Sequence, residues 1–138
     1  MTLTAAMEGN LSSRPVPRTV FVHVVLLKFA VSATAAQRTA FLEGLNGLLQ
    51  GAPDALDYRF GLDAGVAPDA DHYDFALTVA FRAAEDYIAY ESSSKHDEFV
   101  RRCASPIVIG RATVQHLWPP IQPLDHEDGP TMAPDRRR

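Results

Sequence analysis

The stretch from Tyr90 to Phe99, YESSSKHDEF, sets a phenol and an imidazole on either side of a run of serines. Serine hydroxyls compete for backbone hydrogen bonds, so such a run breaks a helix and caps the next one. Two proton-transfer side chains flanking a break can be aimed into one pocket. A neutral histidine accepts a proton as a general base, and a tyrosine O–H polarises a carbonyl and stabilises an enolate. Tyr90 and His96 therefore suit proton abstraction next to a carbonyl, followed by carbon–carbon bond formation or cleavage. That chemistry needs no metal, no cofactor and no nucleophile. The plainer alternative makes Tyr90 amphipathic core, with His96 a surface residue near a cap. Tyr87, one turn earlier, is the better core residue by spacing.

Local signals bear on the protonation of His96. Ser94 reads as an N-cap, with Asp97 three residues later in a capping-box-like arrangement. His96 then falls in the first helical turn, where the positive end of the helix dipole disfavours an imidazolium. A third candidate, His23, lies inside the apolar run VFVHVVLLKF. It is either a core histidine satisfied by a hydrogen bond or a substrate-orienting group on the face it shares with Val25 and Leu27.

Other polar groups carry weaker signals. His72, with Asp69, Asp71 and Asp74, has no second histidine or cysteine at ligand spacing and reads as a solvated loop, not a metal site. His116 and His126 have no visible partner. Cys103 lies on an apolar stripe with no adjacent base and reads as a small hydrophobe. Glu91, Asp97 and Glu98 read as solvated helix-end charges. There is no glycine-rich phosphate loop.

The elements that must hold these residues fit one domain of 138 residues, 46% of them hydrophobic. A net charge of -4 offers no basic field for nucleic acid or anionic lipid. No apolar run is long enough to span a membrane, and Cys103, the single cysteine, suits a reducing cytoplasm. Residues 1–18 and 119–138 are polar and proline-bearing and read as flexible tails around a domain at 19–118. Within it, Thr19–Val31 reads as a strand that is apolar on both faces. A helix follows, with Ser32 or Thr34 as cap and Phe41, Leu45, Leu48 and Leu49 at helical spacing. Strands are expected from Ala55 to Gly61 and over Tyr73–Phe81, helices over Arg82–Glu91 and Lys95–Ile109, and a last strand over Arg111–Trp118. This β-α-β-β-α-β order predicts an α+β, ferredoxin-like fold, whose helices cover one sheet face only. The bare apolar face calls for a second copy packed sheet against sheet, and the space between the sheets is the expected ligand cavity.

The order and the segments HVVLLKF, YDFALTVAF and AYESSSKHDEF resemble the stress-responsive dimeric α/β-barrel (Dabb) family, over about Val20 to Trp118. Within it the chain is similar to the olivetolic acid cyclase-like branch, with Ser93-Ser94 where the family usually has a His-Pro pair. The resemblance implies a homodimer that takes a small apolar carbonyl ligand. It places the catalytic pair on Tyr90 and His96, and the substrate contacts on His23, Val25, Leu27, Phe41, Leu42, Leu45 and Leu77. Phe75 stands where that branch has a supporting histidine, and Leu45 where it has a tyrosine. Three functions follow as expectations. The first is a cofactor-free cyclase or aldolase-like enzyme acting on a polyketide-like or aromatic carbonyl compound. The others are a non-catalytic small-molecule-binding stress-response protein and a cofactor-independent oxygenase.

Overall fold

A computed structural model describes residues 17–67 and 71–119. The expected tails lie almost wholly outside these residues, as do Asp69 and His126. The chain runs β1 (Val20–Phe29), α1 (Ala35–Gln50), β2 (Ala55–Leu62), β3 (Phe75–Phe81), α2 (Ala84–Glu91), α3 (Ser94–Phe99), a π-helical turn (Val100–Ala104) and β4 (Val108–Trp118). The strands form one antiparallel sheet in the order β2-β3-β1-β4. This is the ferredoxin-like α+β fold that the pattern predicts.

The period-2 alternation of β1 decides what each face does. Phe21, His23, Val25, Leu27 and Phe29 point to the helices, in register with Phe81, Val79, Leu77 and Phe75 of β3. α1 lays Phe41, Leu45 and Leu49, one turn apart, onto that face. Phe41 is 1% exposed and meets Phe75 edge-on at 5.1 Å between ring centroids. Thr34 is the cap of α1, closing a capping box with Gln37. Gly44 permits a close approach to the following helical region, because a Cβ there would lie 3.1 Å from Cys103 Sγ.

The opposite face carries Val24 and Leu26 with Ala76 and Thr78 of β3 and Val114 of β4. Val114 is 55% exposed and Trp118 59%. Among the described residues no helix covers them, as expected for a strand that is apolar on both faces.

Two local expectations are corrected. The helix expected over Lys95–Ile109 breaks after Phe99 into the π-helical turn, closed by Ser105 N–H donating to Val100 O at 2.8 Å. Pro106 cannot donate into a helix, and the chain after it straightens, so β4 begins at Val108. Ile107 is nonetheless buried, at the strand entrance. The helix cap is Ser93 and not Ser94, because the Ser93 hydroxyl accepts from His96 N–H.

Candidate functional site

Between the helices and the sheet lies a cavity of about 490 Å³. The residues expected to line a space between two sheets line this one within a single chain. The odd-numbered face of β1 that holds His23, Val25 and Leu27 is the face under the chain's own helices. The inner lining is apolar, with Leu27, Phe41, Leu45, Phe75 and Leu77; the polar lining gathers His23, Tyr87, Tyr90, Glu91, His96 and Arg111. Leu42 is outside the lining and packs, half-buried, against the core. It neighbours Phe41 on α1, and successive residues on a helix point about 100° apart.

Tyr90 and His96 come together, ring centroids 4.9 Å apart and nearly edge-on. One hydroxyl sets this geometry. Ser93 Oγ donates to Tyr90 O at 2.8 Å and accepts from His96 N at 3.1 Å, so it ties the end of α2 to the start of α3. Tyr90 is 9% exposed. Burial, with smaller contributions from Tyr87 and Glu91, pushes its phenol up to about 12. It therefore stays protonated, a donor and not a base. Burial also holds His96 below its ordinary value, assisted by Arg111 and opposed by Glu91 and Asp97. A neutral imidazole beside a protonated phenol is the state that general-base chemistry requires.

A second tyrosine–histidine contact lies in the same cavity. The Tyr87 and His23 rings are 4.6 Å apart. Burial lowers His23; His96 and Arg111 push the same way, and Glu91 opposes them. His23 Nδ1 meets the Gln115 amide nitrogen at 2.8 Å. The hydrogen bond proposed for a core histidine is thus present, and the ring lines the cavity as well. Tyr87 is raised by burial, by the charge of Glu91 and by a side-chain hydrogen bond to that carboxylate. Spacing alone assigns Tyr87 to core and Glu91 to solvent; the fold sets both on the cavity wall. The signal for Tyr87 was its position three residues before Tyr90, one helical turn away.

The remaining candidates lie elsewhere. The ring nitrogens of His72 meet Tyr73 O at 3.1 Å and Ala67 O at 2.9 Å, with Asp63 at 3.3 Å, so the residue fastens its loop. Among the described residues no three histidine, cysteine, aspartate or glutamate side chains converge as a metal site would need. Cys103 is half-buried against α1. His116 is exposed on the open face. Among the described residues no helix is long and apolar enough to cross a membrane.

A small ferredoxin-like domain with a polar-ended cavity under its helices is the architecture of one class of proteins. The chain matches the Stress responsive A/B Barrel Domain (Dabb) family over residues 21–115, and it belongs to that family. Solved structures share the fold. A dimeric ferredoxin-like protein of unknown function from Thermobifida fusca is 24% identical, with a TM-score of 0.65, over 75% of this chain and 94% of that one. A hydroxynitrile lyase from Passiflora edulis is 19% identical, with a TM-score of 0.65, over 83% of this chain and 100% of that one. A Dabb family protein from Mesorhizobium loti is 18% identical, with a TM-score of 0.60, over 72% of this chain and 96% of that one. At these identities the likeness is one of fold. No curated protein matches the chain by sequence.

Proposed function

We propose that this protein is a cofactor-free lyase or cyclase that makes or breaks a carbon–carbon bond next to a carbonyl, in the manner of the olivetolic acid cyclase-like branch. The observation that carries this reading is the Tyr90–His96 contact at the polar end of an apolar cavity. His96 takes a proton from the carbon beside a ligand carbonyl, and the electron pair moves onto the carbonyl oxygen, where the Tyr90 O–H receives it by hydrogen bond. The enolate carbon then attacks a second carbonyl of the same ligand. The imidazolium returns its proton to the new alkoxide, so the enzyme ends as it began. Glu91, whose charge favours protonated His96, stabilises the imidazolium during this exchange.

The size and lining of the cavity support a small apolar carbonyl compound, with its hydrocarbon against Phe41, Leu45, Phe75 and Leu77. A hydroxynitrile lyase shares this fold, which supports a lyase among the readings. The test is a screen of polyketide-like and aromatic carbonyl compounds for binding and turnover, repeated with the Tyr90→Phe, His96→Ala double variant. Turnover lost in the double variant supports the reading. Binding without turnover in the unaltered protein leaves a small-molecule-binding protein, and turnover that consumes oxygen leaves an oxygenase.

The protein works as a homodimer in this reading, with its open sheet faces together. The exposed Val114 and Trp118 on that face support it, as does the dimeric description of the Thermobifida fusca protein. Obligate interfaces bury on the order of 2,000 Å² or more. Sedimentation at micromolar concentration should find a dimer, and a stable folded monomer there would overturn the assignment. Its unpaired Cys103 supports a place in the reducing cytoplasm.

A further inference from the structure

His23 and Gln115 are partners across the β1–β4 ladder, on the face that looks into the cavity. The Gln115 side-chain nitrogen lies 2.8 Å from His23 Nδ1. An amide nitrogen only donates. Nδ1 must then accept with its lone pair, which leaves the ring proton of a neutral imidazole on Nε2. Among the described residues Nε2 has no hydrogen-bond partner, although His23 is only 9% exposed. A buried N–H seeks an acceptor, and the cavity is where a ligand can supply one.

We propose that Gln115 is a positioning residue that fixes His23 as the Nε2–H tautomer, so that His23 offers the ligand a hydrogen-bond donor and not a base. This rests on the proposed site and sharpens it. Tyr90 and His23 both donate to ligand oxygens, and His96 alone accepts a proton. The ligand class narrows accordingly to compounds with two oxygen acceptors, as a chain carrying two carbonyls has. Gln115 is exposed on the edge strand, so it can be replaced with little cost to packing.

The experiment is a two-bond nitrogen–proton NMR correlation on protein labelled with ¹⁵N-histidine, at pH 8 and without substrate. The His23 signals are assigned by their loss in His23→Gln. The expected spectrum shows a pyridine-like Nδ1 and a pyrrole-like Nε2. Gln115→Glu supplies an acceptor in place of the donor and should reverse the two. Gln115→Leu should relax the tautomer ratio by about fivefold, the equilibrium worth of one ordinary hydrogen bond. Should that variant fail to fold, the unaltered protein and Gln115→Glu decide alone. A pyrrole-like Nδ1 in the unaltered protein, or an unchanged pattern in Gln115→Glu, overturns the proposal. With no substrate present, the tautomer stands or falls separately from turnover, whose absence would overturn only the proposed chemistry.

Discussion

The cavity holds two tyrosine–histidine pairs, built by different means. Tyr90 and His96 sit on successive helices and meet because the Ser93 hydroxyl holds the break between them. Tyr87 and His23 meet across layers, helix against sheet, and Gln115 on the edge strand holds the histidine. Both histidines are pushed toward the neutral form by burial. The tyrosines differ. Tyr90 is buried, while Tyr87 is half-exposed and bonded to Glu91. The lesson is that burial does most to make both imidazoles neutral, while the hydrogen bonds around each ring bear on which nitrogen keeps the proton. Among the described residues the His96 ring meets Tyr90 but has no hydrogen-bond partner, whereas His23 has its Nδ1 occupied.

The largest effect should come from the first pair. With substrate in hand, His96→Ala and Tyr90→Phe should each lower turnover by roughly 10²-fold or more. Neither should disturb the dimer, since Tyr90→Phe removes one hydroxyl and His96 lies near a helix end. Equal rates in both variants and the unaltered protein would dissolve the distinction between the pairs.

Replacements in the second pair should matter less. Tyr87→Phe, which on spacing alone should be silent, is now expected to cost about tenfold, because it frees Glu91 from the hydrogen bond that places it. His23→Ala should raise KM or change the product more than it lowers kcat, since an orienting donor acts in ground state and transition state alike. A kcat loss in His23→Ala as large as that of His96→Ala would show that the pairs share one role.

A smaller effect isolates the hinge between α2 and α3. Ser93→Ala removes a cap and should cost about 1 kcal/mol, or roughly 5 °C in Tm for a domain of this size. If the hydroxyl also aims the pair, turnover should fall further than Ser94→Ala makes it fall, because Ser94 makes no cap. Matching activity in the two variants would reduce Ser93 to a helix cap.

The pH dependence should be the gentlest change. His23 and His96 are both held below the ordinary value of 6.5. Below that value the unfolded chain binds protons that the folded one refuses, so stability should fall as pH drops from 6.5 toward the lowered folded values, and level off above 6.5. Activity should rise through the lowered pKa of His96 and then hold, since Tyr90 ionises only near 12. Replacing both histidines with Gln should flatten the acid side of a Tm-against-pH curve. An unchanged slope would assign the acid sensitivity elsewhere.

Much of this was readable along the chain. The alternation of β1 and β3, the i, i+4 spacing of Phe41, Leu45 and Leu49, and the serine break each report local geometry. Local geometry follows from periodicity and capping chemistry. The serine run announced a cap without saying which serine. Ser93 and Ser94 have the same side chain, and the choice depends on where the backbone of α2 stops. The π-helical turn was not legible either, because one extra residue in a helical turn leaves an apolar stripe almost unchanged.

What the amino-acid order determined by itself was the set of elements, their succession and the two faces of each strand. Those are consequences of side-chain period and backbone hydrogen bonding between near neighbours. What only the tertiary structure decided was which of the two apolar sheet faces would lie under the helices and hold the cavity. With it came the recruitment of Tyr87, Glu91 and Arg111 and the pairing of His23 with Gln115, 92 positions away. Those contacts join residues far apart in the chain, and no local pattern encodes them. They exist because the crossover helices must cover one face of the sheet, and the face they cover sets which distant side chains meet.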